Sequence, residues 1–301
     1  LYFQNYFVSV FNLWASLKNQ FPLLAYPLIS PQRREKGRFL EMPLWKYSVH
    51  QIKLQTMDTL ALYNLKGGVG KTAGCVNMAY LAAAEGHKVL VWDLDPQGAA
   101  SFYFNTKGNP KNSETKKILG QETELQEAIC QTAFQLIDII PADLSARQAD
   151  VQLSNMKQGK KRLKTLLNSV KGKYDYVFLD CPPGLNMLHE AVFNAANAIV
   201  MPTIPTTLSI RSYDMVKAFI KENELGAKLI CYFSMADLRK TLHNETLENY
   251  HRNKDFLKNY IPYLSDVEKM GVHHAPVMEF ANTGYAAQCY RDVWKEVVKN
   301  V

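Results

Sequence analysis

The run Lys66-Gly67-Gly68-Val69-Gly70-Lys71-Thr72 sets two lysines around three glycines and ends on a hydroxyl, residue types suited to gripping a polyphosphate. Glycines let successive backbone N–H groups turn toward phosphate oxygens, Lys71 offers a cation to the terminal phosphates, and the Thr72 hydroxyl can ligate magnesium. An apolar stretch at residues 60–63 precedes the run, and a small-residue helix over residues 71–85 follows it. The loop therefore opens a helix N-terminus, where negative charge is favoured. The expected ligand is a nucleotide with Mg²⁺.

Two further stretches bring carboxylates to the ends of apolar strands. The first reads Val89-Leu90-Val91-Trp92-Asp93-Leu94-Asp95-Pro96-Gln97-Gly98, and alternation puts Asp93 and Asp95 on one side if the strand continues that far. The second, Tyr176-Val177-Phe178-Leu179-Asp180-Cys181-Pro182-Pro183-Gly184, ends in an acid and a rigid turn. An aspartate in that place can hold a magnesium-bound water by charge-assisted hydrogen bonding.

Together the three stretches resemble the ParA/MinD family of ATPases, whose phosphate loop is a deviant Walker A with an early lysine. The resemblance implies that Lys66 reaches across a dimer to the partner's nucleotide, and that Gly67, Gly68, Val69, Gly70, Lys71 and Thr72 bind ATP. It makes Lys66, Lys71 and Asp95 the catalytic residues, with Asp95 orienting the attacking water, and Thr72, Asp93 and Asp180 the magnesium set. Pro182, Pro183 and Gly184 match the second switch, which senses the terminal phosphate. Where many members carry an adenine-recognising asparagine, this chain has Ser234 or Met235, and the backbone around Pro262 is expected to share that duty. The fold implied is a three-layer P-loop NTPase α/β fold, a mostly parallel twisted sheet covered by helices on both faces.

The elements needed to position these groups are legible as an alternation of strand and helix patterns. Strands are expected at residues 59–64, 88–93, 136–141, 176–180, 198–202 and 228–234, with helices at 71–85, 159–170, 188–196, 209–223 and 285–299. Residues 107–121, polar and punctuated by glycine, read as a surface insertion. With 301 residues, 47% hydrophobic and 21% charged, the chain can build one large core. Five cysteines without any CxxC pair argue against a zinc ribbon or disulfide scaffold and for a reducing cytoplasm.

The net charge of +7 divides unevenly: residues 1–56 carry +5 and the remainder only +2. The front segment begins Leu1-Tyr2-Phe3-Gln4, which matches the remnant of a cleavable tag, and residues 5–56 read as an extension ahead of an ATPase domain at 57–301. Its aromatic stretch at residues 6–17 is too short and polar to span a membrane.

The DLDPQGAAS form of the first switch places the resemblance nearer the partitioning branch, close to Soj. That branch implies an ATP homodimer that binds nonspecific DNA, a ParB-like stimulating partner, and a cytoplasmic, nucleoid-associated protein without membrane recruitment. Candidates for DNA phosphate contacts are Arg211, Lys217, Lys221, Arg239, Lys240 and Arg252. The alternatives are a membrane-recruited MinD-like positioning ATPase and a biosynthetic phosphoryl-transfer enzyme of the same superfold.

Overall fold

The computed structural model describes residues 57–106 and 114–301. The front segment of residues 1–56, with its tag-like start and basic cluster, lies outside the described residues, as do positions 107–113. In chain order the strands and helices are β1 (Asp58–Leu62), α1 (Lys71–Ala84), β2 (Val89–Asp93), α2 (Ala99–Tyr103), α3 (Thr115–Gly120), β3 (Cys130–Gln131) and β4 (Ile137–Ile140). Then come α4 (Ala149–Ser154), α5 (Arg162–Leu167), β5 (Tyr176–Asp180), α6 (Met187–Ala195), β6 (Ala198–Thr203), α7 (Thr207–Glu222) and β7 (Lys228–Ala236). The chain closes with α8 (Thr241–Tyr250), β8 (Ile261–Pro262), α9 (Ser265–Glu268), α10 (Met270–His273), α11 (Val277–Phe280) and α12 (Tyr285–Asn300).

The strands form one eight-stranded sheet in the order β3-β4-β2-β5-β1-β6-β7-β8, parallel throughout except for the β3–β4 pair. Strand β1 lies between β5 and β6, so the phosphate loop leaves the sheet near its centre. Both faces are covered, which is why the central strands read as unbroken apolar runs rather than alternating ones. The two-residue period still sorts the side chains. Leu60, Leu62, Val89, Val91 and Phe178 face one core with α1 and α12, while Ala61, Leu90, Trp92, Val177 and Leu179 face the other with α3 to α7. The α/β fold expected from the sequence is the one observed.

Two local expectations change. Residues 115–120 are not surface insertion: α3 buries Thr115, Ile118 and Leu119, and its lysines face outward, so the polar composition hid a core helix. The helix expected over residues 159–170 is split into a 3-10 turn, α5 and a second 3-10 turn. Gly159 at its start is required by packing, because a Cβ there would lie 2.0 Å from the Leu153 carbonyl oxygen. All five cysteines are free and buried.

The closing helix α12 is a packed one. It buries Ala286, Ala287, Cys289, Tyr290, Val293, Trp294 and Val297. Trp294 sits against Tyr176 and Phe178, with centroids 5.5 and 6.0 Å away, and its indole N–H donates to Glu85 at 3.2 Å. No described helix is long and apolar enough to cross a membrane. Replacing Trp294 by Ala is expected to cost about 3–5 kcal/mol, from lost burial plus a cavity that the sheet cannot collapse into. Urea unfolding of the two proteins would measure it as a lower midpoint with an unchanged slope.

Candidate functional site

The loop between β1 and α1 has its shape fixed by a few specific bonds. Gly68 and Gly70 adopt φ of 71° and 92°, a region that glycine enters without steric penalty. At Gly70 a side chain is doubly excluded, since its Cβ would come 2.9 Å from Ser234 Oγ. The buried Asn64 ties the loop to the sheet: its Nδ2 donates to the Pro202 carbonyl at 2.8 Å, and its Oδ1 accepts from the Lys66 N–H at 2.9 Å. The buried Lys71 ammonium donates back to the Lys66 carbonyl at 2.8 Å, which closes the loop on itself. Burial pulls the Lys71 pKa down, and the charges of Asp180 and Asp95 pull against that.

A cavity of about 660 Å³ opens above the loop. Gly67, Gly68, Gly70, Lys71 and Thr72 form one wall; Asp95, Pro182 and Pro183 stand across it, and Met235 lines it as well. Lys66, Val69, Gly184 and Pro262 are outside the lining. Pro262 lies in β8, paired with Ala236 across a register shift beside Met235. Met235 itself has φ of 54°, a left-handed conformation unusual for a residue with a side chain, at the edge of a binding cavity.

The two acidic strand ends differ in role. Strand β2 stops at Asp93, so Asp95 belongs to the following turn and strand alternation does not extend to it. Asp93 is wholly buried and engaged: Oδ2 accepts from the Ser101 N–H at 2.9 Å and hydroxyl at 2.7 Å, and Oδ1 accepts from the Asp95 N–H at 3.2 Å. Burial pushes its carboxyl up to about 6 despite those bonds. Asp95 is half-buried, caps its own turn through the Gln97 N–H at 3.0 Å and reaches the cavity.

Asp180 is the unsatisfied member. It is fully buried, and neither carboxylate oxygen has a well-formed hydrogen bond. Burial raises its pKa well above the carboxylate range, with Asp93 repelling it and the Thr72 hydroxyl and Lys71 compensating in part. An orphaned carboxylate facing a threonine hydroxyl at a phosphate loop fits a hydrated magnesium ion. Among the described residues no group of three or more acidic, histidine or cysteine side chains could hold a metal by itself. A cation here therefore fits Thr72, phosphate oxygens and water as ligands, with Asp180 acting on the water.

The Pro182-Pro183-Gly184 segment, expected to be the second switch, is held from behind. The Tyr63 hydroxyl donates to the Gly184 carbonyl at 2.6 Å, and His189 Nε2 lies 3.0 Å from the Pro182 carbonyl. Asn64, Tyr63, His189, Ser101 and the cavity-lining Arg147 and Tyr103 are site residues that sequence reasoning missed. Asn64 and Tyr63 stood directly before the glycine loop, which is the one signal that pointed to them.

The basic candidates lie on the α7 and α8 side of the sheet. Arg211, Lys217 and Lys221 are exposed on α7; Lys240 precedes α8, and Arg252 follows it. Two of the six are already paired, Lys217 with Asp255 at 2.7 Å and Arg239 with Asp237 at 2.8 Å. Among the described residues Arg211, Lys221, Lys240 and Arg252 form no ion pair.

Comparison with known proteins agrees with this geometry. A family profile described as an AAA domain matches residues 57–228, more than half of the chain. The chain is 28% identical to the sporulation initiation inhibitor protein Soj of Bacillus subtilis over 249 residues, covering 80% of this chain and 98% of that one. A Borrelia burgdorferi B31 structure described as a plasmid partition protein bound to AMPPNP superposes with a TM-score of 0.74 at 19% identity, covering 82% of this chain and all of that one. A cobyrinic acid a,c-diamide synthase of Mycobacterium smegmatis shares the fold too, with a TM-score of 0.66 at 22% identity, covering 81% of this chain and 94% of that one. Phosphate loop, paired strand-end aspartates, proline switch and family match converge: the chain belongs to the ParA/MinD-type P-loop ATPases.

Proposed function

We propose that this chain is a partitioning ATPase whose two copies clamp two molecules of ATP and Mg²⁺ between them. In this reading the ATP dimer binds DNA without sequence preference, and a ParB-like partner stimulates slow hydrolysis that releases it, which places the protein on the nucleoid in the cytoplasm. The observation that carries the reading is Lys66. Its N–H and carbonyl are both bonded within the loop, yet its ammonium has no partner among the described residues and it does not line its own cavity. A lysine with a fixed root and an uncommitted amine supports a role in the partner's site.

The geometry supports the following division of labour. Gly67, Gly68 and Gly70 present backbone N–H groups to the phosphates, and Lys71 exchanges its bond to the Lys66 carbonyl for one to a phosphate oxygen. Thr72 and, through water, Asp180 would hold Mg²⁺, which when bound neutralises charge developing on the phosphates. Asp95 orients the attacking water; Asp93 holds the Asp95 backbone in place and adds its charge behind Asp180. Lys66 from the other copy stabilises the transition state much as an arginine finger does.

Light scattering with a nonhydrolysable ATP analogue tests the dimer directly, and a chain that stays monomeric at saturation overturns the reading. Replacing Lys71 by Ala is expected to abolish analogue binding. Lys66→Ala should spare binding but lower dimer-dependent turnover by about a hundredfold or more, the scale of a lost charge-stabilising donor. Asp95→Ala should trap an ATP-bound dimer.

For DNA, the unpaired cations should matter more than the paired ones, because Asp237 and Asp255 already neutralise Arg239 and Lys217. An Arg211→Glu, Lys221→Glu double variant is expected to weaken retention on nonspecific duplex in ATP and to flatten the log–log salt slope by about 1.8, at roughly 0.9 per lost phosphate contact. Arg239→Glu should change that slope less. Filter retention across a salt series reads both; equal slopes in all three proteins would remove α7 from the DNA surface.

A further inference from the structure

We propose that Tyr63 and His189 form a latch that positions the second switch, so that they act on hydrolysis without touching the nucleotide. The switch is Pro182-Pro183-Gly184, and Pro182 and Pro183 form part of the cavity wall. Proline has no N–H, so this segment has few backbone handles other than its carbonyls. The two outer carbonyls are both taken by buried side chains. Tyr63, at the carboxyl end of β1, donates its hydroxyl to Gly184 O at 2.6 Å. His189, on α6 and 1% exposed, meets Pro182 O through Nε2 at 3.0 Å.

The chemistry of the partners fixes who donates. A carbonyl oxygen only accepts, so the bond to Pro182 requires the hydrogen on His189 Nε2, and Nδ1 then faces Asn186, with its N–H at 3.3 Å and its side-chain amide at 2.6 Å. The two latch rings also support each other, with Tyr63 and His189 centroids 5.2 Å apart and Phe193 packed edge-on to Tyr63 at 4.8 Å. Gly184 completes the arrangement at φ of 119°, where a side chain would be strained.

The mount of the latch is rigid. Helix α6 begins with a capping box between Asn186 and His189. Its first turn is anchored further by Met187 N–H donating to Asp150 at 2.7 Å and by Glu190 paired with Lys160 at 2.5 Å. One side of the switch thus faces the nucleotide and the other is bonded to β1 and α6. Any displacement of the switch on nucleotide binding or hydrolysis must work against these two hydrogen bonds, which therefore set how closely the switch follows the terminal phosphate.

This inference rests on the hydrolysis part of the proposed function and on neither DNA binding nor a partner protein. The test compares the native chain with Tyr63→Phe, His189→Leu and His189→Gln, the last keeping an N–H donor near the place of Nε2. In the nucleotide-free protein, Tyr63→Phe and His189→Leu are each expected to raise hydrogen exchange at the Cys181 amide, which donates to the Leu62 carbonyl at the root of the switch, by about tenfold, the scale of one lost hydrogen bond. In both, kcat should fall by about tenfold while the Kd for a nonhydrolysable analogue stays within about threefold. His189→Gln should recover exchange and kcat to near the native values. Unchanged exchange and turnover in Tyr63→Phe, or losses that His189→Gln does not reverse, would overturn the latch in favour of simple packing. If the native chain shows no turnover, the hydrolysis reading fails, while the exchange comparison still decides the latch; Tyr63→Phe, which removes one oxygen, keeps that comparison open should His189→Leu not fold.

Discussion

Two carboxylates buried side by side govern the rest of this site. Asp93 and Asp180 end neighbouring parallel strands in direct register, and both are completely withdrawn from solvent. Sheet geometry leaves them no freedom to separate; burial raises both pKa values, and the charge of Asp93 raises that of Asp180 further. Leaving two charges in a low-dielectric interior costs several kcal/mol per ion unless hydrogen bonds or a cation answer them. The protein answers only one. Ser101 and the Asp95 N–H satisfy Asp93, whereas Asp180 is left with a neighbouring hydroxyl and ammonium in poor geometry. The uncompensated carboxylate is an energetic cost that fits the proposed hydrated cation.

The same logic applies to Lys71. Its amine is buried and occupied by the Lys66 carbonyl, an acceptor within its own loop. That bond holds and satisfies the ammonium at the edge of the cavity, so in the proposed function phosphate would replace one oxygen acceptor with another rather than order a free side chain. Because the acceptor belongs to Lys66, releasing it changes the bonding of the residue whose own amine is uncommitted. In the proposed function, phosphate capture and the presentation of Lys66 would be linked through this single hydrogen bond.

Legibility in the sequence followed the range of the forces involved. Strands β1, β2, β5, β6 and β7 were readable because burial on both faces demands continuous apolar runs, and the glycine loop because its backbone conformation demands glycine. Helix α3 was not readable, since only Ile118 and Leu119 of its short sequence mark it as core. Helix α8 and strand β8 lack a strong period and owe their place to packing against β7. Within the site, Asn64 bonds Pro202 and His189 bonds Pro182 through contacts that exist only after the sheet assembles. Pairing was equally hidden: six cations looked alike in the sequence, but Asp255 and Asp237 remove two of them from the free set.

Fold likeness does not by itself separate a positioning ATPase from a biosynthetic enzyme, since both kinds of neighbour superpose well. Similarity over 98% of the length of Soj and the arrangement of charges favour the first. A biosynthetic phosphoryl-transfer enzyme must hold a second substrate beside the terminal phosphate, in a place where Lys66 contributes nothing. Here the residue next to the phosphate loop has a fixed backbone and an unused cation, and the cavity wall opposite is a proline switch braced from the protein interior. Those features support the proposed site that registers the state of its nucleotide. The free cations of α7 lie on the helix that follows β6, the strand whose Pro202 carbonyl anchors Asn64 and hence the phosphate loop. A shift of that loop is thus one hydrogen bond and one strand end away from the surface proposed to hold DNA.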